Sequence, residues 1–287
     1  METLGIDASK ATQGAAYGLR FVGLDPSPTL ALYGADDWYP VEVALTTPRV
    51  VNIRISFHEQ GATAGYESVQ VHVDRPRRRV EISSVEVLDT RSLAHPYLAL
   101  PAALFAHWAG REAVHAAGVV LGGRAWGLVG KREQGKSTLA GALLAAGHEV
   151  FVDDVLVVDG KSAFAGPRCV DLRDGVRARL GLREPTERAR ADTRDRVNLP
   201  PTRGQAPLGG FVHLVWGYDL GITPLAIDER LRRLMGARSL PYCKAHGEVM
   251  LDLATLPAWE LIRPQRWDTF EAATGLLLVT LAAAAIA

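Results

Sequence analysis

The residues best suited to chemistry lie in a single run, Gly130-Lys131-Arg132-Glu133-Gln134-Gly135-Lys136-Ser137, a full match to G-x-x-x-x-G-K-[ST]. Lysine occurs at only five positions (10, 131, 136, 161 and 244), so composition alone gives roughly a 0.4% chance of an accidental match. The spacing has a physical reading. Gly130 and Gly135 let the chain turn tightly enough for successive backbone N–H groups to point into one anion-sized hollow. A helix starting near Ser137 adds its positive N-terminal end beneath the same phosphates. Lys136 then bridges the β- and γ-phosphates of a nucleotide, and the Ser137 hydroxyl ligates Mg²⁺. The sequence therefore points to a nucleotide site. Asp153-Asp154, at the end of the strand-like HEVFVDD, is the second candidate. One carboxylate would hold Mg²⁺ and the other accept a proton from a hydroxyl. His115 opens another strand-like run and, taken alone, reads as a structural histidine. The remaining histidines show no H-E-x-x-H spacing, and there is no G-x-S-x-G elbow, H-R-D or D-F-G.

These groups need a scaffold that delivers them to one edge. Residues 125–154 read strand (Ala125–Val129), loop, helix (Ser137–Ala146), strand (His148–Asp154), which predicts an α/β core. His115–Leu121 reads as a strand before it, with Gly122-Gly123-Arg124 as the turn, and Leu98–Gly110 as a helix before that. Val155–Asp159 and Phe211–Trp216 read as strands, and Asp174–Leu182 and Ile227–Met235 as helices. Arg183–Gln205, dense in charge and proline, reads as an exposed loop, a short helix or a flap. The N-terminal part is β-rich: Tyr39–Thr46, Val50–Phe57, Ser68–Val73 and Val80–Val87 read as strands, separated by turns at Glu59–Gly65 and Arg75–Arg79. The expected division is 1–94, β-rich, and 95–287, carrying the loop.

Composition narrows the class. The chain has 287 residues, 48% hydrophobic and 22% charged, with Lys+Arg 32 against Asp+Glu 32. That suits a packed protein and gives no long-range attraction for nucleic acid or an anionic membrane. DRPRRR at 74–79 fits a charged turn between strands better than a nucleic-acid patch. Two cysteines, Cys169 and Cys243, suggest neither a zinc cluster nor a disulfide framework, so a reduced, cytoplasmic setting is expected. The N-terminus lacks the pattern of a secretory signal. The apolar run 276–287 is shorter than the roughly 20 residues a membrane span needs, and is expected to be the end of a buried helix beginning near Trp267.

VHAAGVVLGGRAWGLVGKREQGKSTLAGALLAAGHEVFVDDVLVV, residues 114–158, resembles the core of the HPr kinase-like family, which shares its phosphate-loop architecture with PEP carboxykinases. LPP at 199–201, PLGGFVHLVW at 207–216 and ELIRPQRWD at 260–268 resemble the smaller HPr-kinase-related proteins, among them lasso-peptide kinases. The resemblance implies an α/β, PEP carboxykinase/HPr kinase-like P-loop core and an ATP- and Mg²⁺-dependent kinase. It would transfer the γ-phosphoryl group to a hydroxyl, expected to be a serine of a peptide or protein such as a natural-product precursor. By the same resemblance Gly130, Lys131, Arg132, Glu133, Gln134, Gly135, Lys136, Ser137 and Thr138 form the ATP loop. Asp153 is then the base, Asp154 and Ser137 the Mg²⁺ ligands, and His115 sits near the γ-phosphate; the two aspartates could exchange roles. The family's hexamers imply a homo-oligomer, which nothing in this chain independently indicates. Lys131 replaces an acidic residue and Thr138 a common Glu of HPr kinases, and the glycine-rich signature of bifunctional kinase/phosphorylases is missing. These departures argue against phosphorylase activity and against HPr as acceptor. A small-molecule (hydroxy amino acid) kinase of the same fold and a non-catalytic nucleotide-binding module are the alternatives.

Overall fold

The computed structural model describes residues 12–13, 19–21, 41–46, 55–58, 60–66, 69–84, 95, 97–182, 187–188 and 194–286. Strand alternation builds the N-terminal sheet. Its strands are β1 (Thr12–Gln13), β2 (Leu19–Phe21), β3 (Val41–Thr46), β4 (Ile55–His58), β5 (Gly61–Tyr66), β6 (Val69–Asp74) and β7 (Arg79–Ser84), in the order β1-β2-β3-β7-β6-β5-β4. Along β6, Val69, Val71 and Val73 are buried and the residues between them are not, the two-residue period of a half-covered strand. The turn expected at Arg75–Arg79 is present as residues 75–78. The turn expected at Glu59–Gly65 is largely a strand instead. Glycine and alanine lower β-propensity, but Ala62 and Ala64 alternate inward and are packed in the core. The expected segments at 39–40, 50–54, 68 and 85–87 lie outside the described residues.

Helix α1 (Ala99–Trp108) buries Pro101 through Ala106 on every side, as a uniformly apolar helix must. Pro101 is tolerated because it falls in the first turn, where the N–H has no helical partner. One apolar cluster joins α1 to Val71, Val80 and Ile82 of the N-terminal sheet and to Ala113, Val157 and Phe164 beyond it. The two sheets therefore share a core.

The second sheet positions the site. It contains β8 (Glu112–Val114), β9 (Ala116–Leu121), β10 (Arg124–Val129), β11 (Glu149–Val152), β12 (Leu156–Val158), β13 (Ser162–Phe164), β17 (Gln205–Trp216), β18 (Gly221–Pro224) and β19 (Ala258–Arg263). The order is β11-β9-β10-β17-β13-β12-β8, with β19 and β18 continuing from the far half of β17. Strand β17 runs parallel to β10 and to β19, while β9 is antiparallel to both β10 and β11. This is the mixed α/β core that the sequence leads one to expect. The β9–β10 turn uses Gly122 and Gly123, both at positive φ (58° and 76°), as a tight hairpin requires. Along β9 and β10, Ala117, Val119, Trp126 and Leu128 join one apolar cluster and Ala116, Val120, Ala125 and Val129 another, so both faces are covered. Helices α2 (Lys136–Ala145) and α6 (Phe270–Ile286) cover the first face; α4 (Ile227–Gly236) and α5 (Gly247–Thr255) cover the second.

A third sheet, β14 (Cys169–Arg173), β16 (Arg194–Asn198) and β15 (Glu187–Arg188), corrects the reading of Arg183–Gln205 as loop, helix or flap at 187–188 and 194–198; residues 199–204 are irregular as expected, and 183–186 and 189–193 lie outside the described residues. Val197 and Arg196 are buried there, and the paired strand β14, invisible to local pattern, is what orders the charged segment. The helix expected at Asp174–Leu182 shrinks to one turn, α3 (Val176–Arg179), bounded by Gly175 and Gly181 at positive φ. The C-terminal helix is not buried as expected. It buries the stripe Ala273, Leu277 and Leu281 and leaves Val279 70% exposed. No helix of the described residues is long and apolar enough to cross a membrane.

Candidate functional site

Parallel and antiparallel registers bring separate residues to one sheet edge. The ends of β10, β11, β17 and β19 and the start of β9 all fall there. The strand–loop–helix order places residues 130–135 between β10 and α2, with Gly135 at φ 74° immediately before the helix. A Cβ on Gly135 would lie 2.5 Å from Arg263 Nη2. Arg263 donates from that nitrogen to the Gln134 carbonyl at 2.8 Å and stacks over Trp216, 4.1 Å from the ring centroid. Trp216 Nε1 donates to the Glu133 carbonyl, so two residues from neighbouring strand ends clamp the loop from outside. Burial draws Arg263 down to about 10.

Lys136 folds back onto its own loop. Its Nζ donates to the carbonyls of Gly130 (2.8 Å) and Lys131 (3.2 Å) and lies 2.9 Å from His115 Nε2. Burial lowers the pKa of this ammonium, with the Asp154 and Asp153 charges opposing. Ser137 Oγ donates to Asp153 Oδ1 at 3.1 Å. Burial, and then the charge of Asp154, push Asp153 up to about 6.

Asp154 occupies the left-handed region (φ 74°), a conformation aspartate tolerates better than most residues. Its side chain is bracketed by two histidines, His95 Nε2 at 3.0 Å and His115 Nδ1 at 3.2 Å. Burial would raise the Asp154 carboxyl, but these two bonds hold it well below the usual carboxylate range. Behind His95 the chain of contacts continues to Asp171 Oδ2 at 3.1 Å. Asp171 in turn accepts from Arg196 Nε (2.7 Å) and Nη2 (2.8 Å), across a directly opposed β14–β16 pair. Burial disfavours a charged His95, yet Asp154 and Asp171 outweigh it and hold its pKa at about 9.

Two clefts meet at this chain. One, of about 880 Å³, is lined by Gly130, Lys131, Gln134 and Val215 on its loop side and by the segment 236–241 opposite. The other, of about 550 Å³, is lined by Arg132, Glu133, Gly135, Lys136, Ser137 and Thr138, and by Trp216, Arg263 and Trp267. His95, His115 and Asp154 line both; Asp153 is 7% exposed and lines neither. The structure thus gathers every residue singled out from the loop, together with His115, Asp153 and Asp154. It divides the loop between two clefts, with Lys131 facing the larger.

Sequence reasoning missed His95, Asp171 and Arg196, which lie 76 and 101 residues apart along the chain and meet only through tertiary pairing. Trp216 and Arg263 sit inside the two downstream segments that carry the family resemblance, so a signal existed for them without a role attached. His107, Glu112 and His246 also come within 4.8 Å of one another. There Glu112 already accepts from Arg238 Nε and the His246 amide, which leaves little negative charge for a cation.

No protein-family model and no curated protein matches this sequence. Among solved structures, the HPr(Ser) kinase/phosphatase from Coxiella burnetii is similar at 13% identity, covering 59% of this chain and 95% of that one, with a TM-score of 0.33. A likeness this distant identifies neither a family nor an activity.

Proposed function

We propose that the protein is an ATP- and Mg²⁺-dependent phosphotransferase acting on a hydroxyl, with serine of a peptide or protein as the expected acceptor. The observation that carries this reading is the meeting of two clefts at His95, His115 and Asp154, beside Lys136 and the Ser137–Asp153 pair. A transferase needs a donor and an acceptor site that share their reacting edge; a simple nucleotide binder needs one cleft.

The nucleotide takes the smaller cleft, where the loop amides, the α2 N-terminus and Lys136 neutralise phosphate charge. Its phosphates compete with the two loop carbonyls for the Lys136 donors. The Ser137 hydroxyl and Asp153 carboxylate are hard oxygen donors 3.1 Å apart, a set that suits Mg²⁺. That cation would supply charge neutralisation on the phosphates. Asp154, which lines both clefts, accepts the acceptor's hydroxyl proton. The hydroxyl oxygen bonds to the γ-phosphorus, the bond to the β,γ-bridging oxygen breaks, and ADP leaves with that electron pair. His115, held by Asp154 and Lys136, orients the carboxylate. The geometry favours exchanging the roles first expected for the aspartates.

The test is label transfer from γ-labelled ATP with Mg²⁺, with and without serine peptides, for the parent protein, Asp154→Asn and Asp153→Asn. Transfer that falls about 10²-fold or more in Asp154→Asn at unchanged Mg²⁺ affinity supports the assignment. Transfer abolished only by Asp153→Asn restores the opposite one, and failure to bind ATP refutes the reading altogether.

A further inference from the structure

Aromatic rings and arginines follow one another along one wall of the smaller cleft. Trp216 and Arg263 are register partners at the ends of β17 and β19, so the sheet itself sets the guanidinium over the indole. Arg263 reaches on to Phe270, 5.9 Å from that ring centroid, and Phe270 meets Trp267 at 5.0 Å with the rings tilted by 58°. Arg179, the last residue of α3, closes the row 4.6 Å from the Trp267 ring. The row begins on the phosphate loop, where Trp216 and Arg263 donate to the Glu133 and Gln134 carbonyls. It ends at α3, where Leu180 lies against Gly141, more than one helical turn into α2.

Trp267 is the member of this row that serves no core. It is half-buried and belongs to none of the three apolar clusters of the described residues, whereas Phe270 packs on the cluster beneath α6. Arg179 covers one face of the indole without lining the cleft, and Trp267 does line it, so the face turned to the cleft is the other one. A rigid indole face in a cleft of about 550 Å³ suits a flat aromatic ligand. In a nucleotide the flat group lies at the opposite end from the phosphates; along this wall the indole lies at the opposite end of the row from the loop. Polar groups nearby are poorly placed to read the edge of a base. Gln265 and Arg266 are exposed, Arg266 is tied to Asp268, and the exposed Arg173 is held by Glu133 at 2.7 Å. Discrimination by hydrogen bonds takes buried polar groups that the wrong ligand leaves unpaired, whereas water satisfies exposed ones. Stacking favours every base, because each has a π-face.

From this we infer that Trp267 is the nucleobase platform of the smaller cleft and holds the base by stacking alone, so that ATP and GTP serve alike as phosphoryl donors. The inference rests on the phosphotransferase reading and sets its donor specificity.

Calorimetry with Mg²⁺ and three ligands, ATP, GTP and inorganic tripolyphosphate, tests it in the parent protein, Trp267→Leu and Trp267→Phe. In the parent, the ATP and GTP Kd values are expected to agree within about threefold, each at least about tenfold below that of tripolyphosphate. Trp267→Leu is expected to raise both nucleotide Kd values about tenfold and to leave tripolyphosphate, which reports an intact loop, unchanged. Trp267→Phe, which keeps an aromatic face, is expected to recover most of the loss. ATP held no tighter than tripolyphosphate, or nucleotide affinity untouched by Trp267→Leu, would overturn the platform and leave the phosphate loop standing. Loss of tripolyphosphate together with ATP in Trp267→Leu would make Trp267 a structural residue and overturn it equally. A preference of about a hundredfold for one purine would overturn recognition by stacking alone. Binding of none of the three by the parent would refute the phosphotransferase reading and the platform with it.

Discussion

Replacing Asp171 by Asn changes one atom in a buried chain of charges and should be felt as both stability and pH response. Asp171 is 6% exposed and accepts from Arg196 Nε, Arg196 Nη2 and His95 Nδ1. Arg196 is 3% exposed, so the substitution takes the carboxylate away from a buried cation; breaking such a pair costs about 3–5 kcal/mol. For a fold of this size that lowers Tm by roughly 5–8 °C. His95 supplies the second readout. In the parent, a rise from 6.5 to about 9 corresponds to about 3 kcal/mol of stability. Protonated His95 is favoured in the folded chain, so this contribution is complete below pH 6.5 and lost as pH rises through about 9. The parent should therefore weaken between pH 6.5 and 9, and Asp171→Asn should weaken by about half as much, since Asp154 still accepts from Nε2. Urea unfolding of both proteins at pH 6.5 and 9 in EDTA measures both effects. A loss below about 1 kcal/mol at pH 6.5, or a parent equally stable at the two pH values, would refute the charge chain as described.

Three further outcomes are expected. Lys136→Met, close in size and shape, should reduce label transfer from ATP at least about 10²-fold while leaving the fold intact by circular dichroism. Gly135→Ala forces a left-handed alanine and sets its Cβ 2.5 Å from Arg263 Nη2; a fluorescent-nucleotide titration should show affinity weakened about tenfold or more. Because burial and Asp154 push Asp153 to about 6, and a carboxylate must ionise to hold a cation, Mg²⁺ affinity should be about tenfold weaker at pH 5 than at pH 7. A pH-independent Mg²⁺ titration would exclude Asp153 as a ligand.

The loop and the paired acids were legible because their chemistry is local: glycines at a tight turn, a lysine at a helix start, carboxylates at a strand end. Their element order followed from the same local pattern. What escaped depends on partners distant in sequence. Gly61–Tyr66 becomes a strand because β6 lies beside it, and 194–198 because β14 does. His95, Asp171 and Arg196 have ordinary neighbours in sequence and acquire meaning only when β14 and β16 pair. Nor does the proposed boundary near residue 94 predict that Val71 and Ile82 share a core with Phe105 and Phe164. Removing residues 1–90 would strip that core.

Strand β17 sets a length scale. His213 lines the larger cleft and Trp216 the smaller, three residues along a strand tied to β10 as far as His213 and to β19 from Phe211 to Trp216. A strand laddered along this stretch neither shortens nor bends without losing hydrogen bonds, so the spacing between His213 and Trp216 is a property of the fold rather than of the ligands. On the proposed reading the protein acts as a ruler. An acceptor whose reach does not match that spacing finds no hinge in β17 to shorten it, and length becomes the feature by which acceptors are sorted.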